Sequence, residues 1–376
     1  MLLAGLSMTF VGCRFFDDDT PSIPTVPGIP SDVEATANPT LPDEPNAVIP
    51  NLTYSTATVN GNTVIHFDLT GIQDPNDATE WLRLYGTSTI NQNVWMEIDR
   101  VPKGVAIINA IDETDRQVST VDLVFLIDNS GSMSQEANTV ARDILAWAEQ
   151  LSKTLDMKFG CVGYDGAITG ALNMTSVEEL SSYLNKGSGV TRTKHFGGYD
   201  ADALKNAVGP YRTDGGGVYE CGVAALRFAN DHFNFRSGAN RVYVNFTDEP
   251  NQPNGNHEYS VYWVQEPENW PTTYGTIHTV YSDTSTNFRE KRDYTEYPWS
   301  LSDFTGGTQI FTNSSFTGVT LGNLPVTGAL QNSIRISITN VENLFDGQLH
   351  TVRITILSPN GTVRAEREFT LEFTKE

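Results

Sequence analysis

Residues 121–133, VDLVFLIDNSGSM, constrain this chain more than any other stretch. The run 121–127 is almost wholly apolar and rich in branched and aromatic side chains. That is the pattern of a strand buried on both faces of a parallel sheet. It breaks abruptly into Asp128, Asn129, Ser130, Gly131 and Ser132. Three small oxygen-bearing side chains, Asp128, Ser130 and Ser132, thus stand at alternate positions past the strand's carboxyl end. Ligands of open α/β sheets bind outside those ends. One anionic and two neutral oxygens suit a hard divalent cation.

Taken alone, the same residues also fit an Asx/Ser turn that caps the next helix. In context, D-x-S-x-S after an apolar strand and before the helical period 135–151 resembles a von Willebrand factor A (vWA) domain with a metal-ion-dependent adhesion site. The resemblance implies an α/β fold: a doubly wound, mostly parallel, Rossmann-like sheet. It also implies further ligands from other strand ends. Asp248 closes the apolar run 241–247 in the family's (T/S)-D pattern. Most members supply a Thr from a Gly-rich loop; here the loop 214–222 reads DGGGVYECG and places Glu220 there, as integrin β subunits do. The implied set is Asp128, Ser130, Ser132, Glu220 and Asp248. It would hold a divalent cation, Mg²⁺ first, with Mn²⁺ or Ca²⁺ also compatible, and leave one position for a carboxylate from a partner protein. Glu136 and Asp165 are the acids placed for a second ion, and each reads more simply as a solvated charge.

Residues 51–118 and 331–376 read differently from the centre. Runs 54–59, 63–69, 81–85, 94–98 and 104–108 carry branched and aromatic residues, and Asn60-Gly61-Asn62 is a hairpin signal. Runs 334–338, 351–356 and 366–373 alternate apolar and polar residues. Either flank alone is marginal as a β unit. The expected organisation is one β-sandwich made by both flanks, with the vWA domain (119–330) inserted between them, as in the integrin β headpiece. Two separate small β domains are the alternative.

The N-terminus is apolar over 1–12, too short to span a bilayer, and ends in Gly12-Cys13. It resembles a bacterial lipoprotein signal (1–13) with Cys13 as the lipidated residue, although Phe10 replaces the usual Leu and a positive n-region is missing. A Pro-, Thr- and Ser-rich stretch (14–50) follows as an extended tether; its Asp17-Asp18-Asp19 either resembles an export signal to the outer face of the outer membrane or simply solvates the linker. Cys161 and Cys221 either pair in an oxidising compartment or remain separate buried thiols.

The formal net charge of −22 excludes a nucleic-acid partner, because phosphate binding needs a basic surface. None of the six histidines stands at a metal-ligand or catalytic spacing, and there is no G-x-S-x-G elbow. An enzyme is not expected. The expected function is cation-dependent binding of a protein or glycan by a lipid-anchored, surface-exposed outer-membrane protein. The alternative is an assembly subunit of a surface appendage, whose partner is a neighbouring subunit.

Overall fold

The computed structural model describes residues 28–112, 120–134, 137–184, 198–213, 219–282, 296–312 and 324–375. The signal with Cys13, the first part of the tether, Glu136 and residues 214–218 of the Gly-rich loop lie outside them.

The chain begins with a hairpin, β1 (Leu52–Val59) and β2 (Asn62–Leu69). Asn60 and Gly61 close it at φ 52° and 82°, with Val59 opposite Asn62. A two-residue turn with both φ values positive matches the right-handed twist of the strands it joins. A short ribbon, β3 (Gln73–Asp74) and β4 (Asp77–Trp81), precedes β5 (Val94–Ile98), β6 (Val101–Lys103) and β7 (Ala106–Asn109). The expected strand 81–85 does not form. The Leu84 and Tyr85 amides donate instead to the side chains of Asn109 (3.0 Å) and Asn93 (2.7 Å). Local amide side chains thus replace a ladder there.

The central segment runs β8 (Thr120–Asp128), α1 (Ala137–Leu151), β9 (Asp156–Tyr164), β10 (Ile168–Thr175), α2 (Val177–Leu184), α3 (Asp202–Ala207) and α4 (Gly222–His232). It continues through β11 (Asn240–Thr247), α5 (Val261–Val264), β12 (Thr276–Tyr281), α6 (Ser300–Thr305), β13 (Gln309–Phe311) and α7 (Pro325–Gln331). The chain ends with β14 (Ile334–Ile338), β15 (Leu349–Leu357) and β16 (Arg364–Glu372).

The strands make two four-stranded antiparallel sheets, β1-β2-β14-β7 and β16-β15-β5-β6, the β3-β4 ribbon, and one six-stranded mixed sheet, β10-β9-β8-β11-β12-β13. The expected class, a doubly wound Rossmann-like vWA fold set in a sandwich, is therefore corrected: the chain is predominantly β. Strand residues outnumber helical ones, three of the four sheets are antiparallel throughout, and β10 runs antiparallel to β9. Among the described helices only α1, α2 and α4 reach eight residues. The reading overreached because an apolar run shows that a strand is covered on both faces, not how much helix covers it.

Alternation within β8 explains its unbroken apolar sequence. Val121, Leu123, Phe125 and Ile127 enter the cluster that includes α1, whereas Val124 and Leu126 enter the cluster under α4. Phe125 packs against Phe159 at 6.4 Å and edge-on against Trp147 at 5.8 Å. Removing that ring would cost about 3–5 kcal/mol. Cys161 belongs to the first cluster and Cys221 to the second, so the sheet separates them; both are buried free thiols.

A third cluster lies between the two antiparallel sheets, with Ile65, Phe67, Ile336, Val352, Ile354 and Phe369 among its members. Strands from both flanks share each sheet: β14 pairs with β2 and β7, and β15 pairs with β5. This sandwich abuts the amino-terminal ends of β11 and β12. There Asn51 Nδ2 donates to the Gly275 carbonyl (2.9 Å) and the Leu52 amide donates to Thr272 Oγ1 (2.9 Å).

Candidate functional site

The opposite pole of the six-stranded sheet gathers the oxygen donors. Asp128 ends β8 and is fully buried. Its Oδ1 accepts the Ser130 amide (3.0 Å) and its Oδ2 accepts the hydroxyl of Thr247 (2.8 Å). Thr247 sits there because β11 runs parallel to β8 with Phe246 opposite Ile127, so the two strands end together. The hydroxyls of Ser130 and Ser132 lie 2.8 Å apart, and Ser132 Oγ donates to Asp248 Oδ1 (3.1 Å). The Asn129 amide donates to the Tyr164 carbonyl (2.6 Å), tying the turn to the end of β9.

Four of the five expected residues, Asp128, Ser130, Ser132 and Asp248, thus form one hydrogen-bonded group. Glu220 joins it through charge. Burial, and then the charges of Asp128, Glu249, Asp248 and Asp165, push its carboxyl up to about 9. Burial and then the charge of Asp248 push Asp128 up to about 7. Desolvation, and after it repulsion from neighbouring carboxylates, raises both.

Glu220 stands just before Cys221, the cap of α4, and its carbonyl accepts the Gln252 amide (2.9 Å). Behind it lies a network that no sequence motif marks. Cys221 Sγ donates to Asn251 Oδ1 (3.2 Å), and Asn251 Nδ2 donates to Glu296 Oε2 (2.9 Å). Glu296 also accepts the Ser260 hydroxyl and the Val261 amide, both at 2.6 Å. A carboxylate with three donors is held firmly, so Glu296 fixes the loop that lies against Glu220. Glu296 is remote in sequence from every partner, and no spacing rule could have found it.

Ser130 and Ser132 bond to one another and Ser132 bonds to Asp248, with no imidazole in hydrogen-bond reach among the described residues. Among those residues, too, no three His, Cys, Asp or Glu side chains converge closely enough to hold a metal ion. The expectation of an assembled metal-ion-dependent adhesion site is corrected accordingly. Its donors include two serine hydroxyls, and the acids are spread along the pole rather than collected at one point.

No protein family matches the chain, and no curated protein matches it. Solved structures do, remotely. A point mutant of the PilB minor pilin from Streptococcus sanguinis is 12% identical over 70% of this chain and 74% of its own, with a TM-score of 0.31. The pilus adhesin SpaC from Lactobacillus rhamnosus GG, in its open conformation, is 11% identical over 88% of this chain and 55% of its own, at TM-score 0.34. The type V pili tip protein Mfa5 from Porphyromonas gingivalis, as three N-terminal domains, is 9% identical over 87% and 78%, at TM-score 0.27. This chain spans about half the length of the SpaC structure. These neighbours are described as pilins and pilus proteins. No family model matches the chain, and the assignment to the vWA family is corrected on that ground. Likeness this remote says nothing further about the chain.

Proposed function

We propose that this chain is a non-catalytic subunit of a bacterial surface appendage, displayed at the cell surface, that meets a neighbouring subunit through the acidic pole of its six-stranded sheet. One observation carries the reading. The sandwich grips the central sheet at its amino-terminal end, by Asn51 on Gly275 and Leu52 on Thr272, and so presents the Asp128–Asp248 pole outward. A rigid β platform below a polar, partly exposed donor group suits a positioned contact surface. The pilin and pilus-adhesin neighbours agree with this role without adding weight to it. Lipid anchoring through Cys13 at the outer membrane belongs to the same proposal.

A divalent cation, Mg²⁺ first, is part of the proposal on the chemistry of the donors alone, since the described acids do not converge on one point. Asp128 and Asp248 repel each other across two serine hydroxyls, and Asp128 is pushed up to about 7 in consequence of burial and that charge. A hard cation bound there would offset that repulsion. Asp128, Ser130, Ser132 and Asp248 would hold it, with Glu220 nearby, while Thr247 and Asn129 fix the turn.

Co-purification from the source cells tests the role. The tagged chain is expected to bring down other surface subunits, and Ser132→Ala with Asp248→Asn is expected to lose them while the protein stays folded. Recovery of the chain alone, with an intact surface, would sink the reading.

A further inference from the structure

At the other pole, between the sandwich and the amino-terminal ends of the central strands, lies a groove of about 950 Å³. Three arginines line it: Arg236, which is paired with Asp122 and Asp156, and Arg241 and Arg367. Arg367 of β16 donates to the Ile49 carbonyl (2.6 Å), Asn51 Oδ1 (2.6 Å) and the Phe304 carbonyl (3.4 Å), all neutral acceptors. Burial, with no compensating anion, pulls its guanidinium down to about 10. Arg241, at the start of β11, lies over the Phe235 ring at 4.4 Å. Among the described residues neither Arg241 nor Arg367 has a carboxylate within ion-pair distance. A buried guanidinium that lacks a carboxylate is a ready receptor for one.

A second observation comes from Thr53, also on the wall. It is 5% exposed, and its hydroxyl has no hydrogen-bond partner. A buried orphan hydroxyl costs free energy that a ligand in the groove would recover. The rim adds the hydroxyl of Thr370 and the exposed carboxylates of Glu268, Glu368 and Glu372. Those acids accept from ligand hydroxyls and repel a polyanion. The complementary ligand therefore carries one carboxylate and several hydroxyls.

We propose that this groove binds an acidic saccharide, with Arg241 and Arg367 holding the carboxylate and Thr53 and Glu268 reading hydroxyls. The volume exceeds one sugar ring and accommodates a short oligosaccharide. The ligand would bridge the sandwich and the central sheet. The site lies at the pole opposite the Asp128 group and does not rest on the role proposed for that group.

Calorimetric titration of the full chain with D-glucuronate and with N-acetylneuraminate tests it, glucose and N-acetylglucosamine serving as neutral controls. Saturable binding of at least one acid is expected, about tenfold or more above the neutral sugars. Arg241→Gln and Arg367→Gln are each expected to weaken it about tenfold. Thr53→Val removes a hydroxyl that bonds to nothing in the protein; it is expected to leave folding intact and to weaken binding severalfold. The proposal fails if neither acid saturates by about 20 mM, or if a neutral sugar binds as well. It fails equally if Arg241→Gln and Thr53→Val leave the affinity unchanged, or if a triaspartate peptide binds more tightly than either sugar.

Discussion

Replacing Arg236 by Ala tests how the amino-terminal pole of the central sheet is held. Arg236 Nε donates to Asp122 Oδ1 (2.7 Å) and its backbone amide donates to Asp122 Oδ2 (2.7 Å). Nη1 reaches Asp156 (2.9 Å) and Nη2 reaches the Val121 carbonyl (2.8 Å). The two acids differ sharply in setting: the Asp122 side chain is 0% exposed and that of Asp156 is 57% exposed. Removing one partner of a buried pair costs about 3–5 kcal/mol, because the remaining charge stays buried without compensation. The amide of residue 236 still donates to Asp122 in the variant, which puts the loss near the lower end, about 3 kcal/mol. The exposed Asp156 arm contributes no more than about 0.5 kcal/mol. Urea unfolding followed by far-ultraviolet circular dichroism reads the difference, with an expected midpoint drop of about 1–1.5 M. Asp156→Ala should barely move the midpoint. Asp122→Asn in the Arg236→Ala background should recover part of the loss, since the amide needs no cation. A loss below about 1 kcal/mol for Arg236→Ala, or an equal loss for Asp156→Ala, would refute the reasoning.

Three further expectations follow from single contacts. His278 is fully buried, and burial pulls its imidazole down to about 3. Its folded value lies below the unfolded one of about 6.5, so its contribution is whole above that pH and drains away as pH falls toward 3. Between pH 7 and 4.5 the wild type should lose roughly 2–3 kcal/mol relative to His278→Gln; parallel stability–pH curves for the two would contradict this. A Cβ on Gly328 of α7 would stand 2.4 Å from Trp81 Nε1 and 2.5 Å from its neighbouring ring carbons. Gly328→Ala should therefore destabilise by about 1–3 kcal/mol in denaturant titration, and a gain in stability would mean that the ring moves freely. Saturating Mg²⁺, at about a hundred times its dissociation constant, should add about 2.7 kcal/mol to the unfolding free energy, and Asp128→Asn should abolish that gain. An equal gain in both proteins would place the ion elsewhere.

Local pattern was enough for the elements whose cause is local. Asn60-Gly61 dictates a tight turn because both residues tolerate positive φ, and the structure holds them at 52° and 82°. The apolar runs 121–127 and 241–246 had to be strands covered on both faces, and β8 and β11 are buried along nearly their whole length. The helical period before residue 151 produced α1. Asp128, Ser130 and Ser132 were legible as one group because they share a single turn, and Asp248 because it follows a parallel strand.

Contacts across long separations decided the rest. No spacing rule sets Arg367 beside Asn51, Glu296 under Asn251, or Arg236 against Asp122; sheet order and loop closure do. The balance of strand and helix was misjudged for the same reason: periodicity reports which faces are covered and leaves open what covers them. The groove between sandwich and sheet exists only once β1, β16 and the 267–273 loop lie beside the start of β11, since segments far apart in sequence make its walls. Side-chain pattern acts over one or two turns of chain, and a site between packed layers has no local signature to carry.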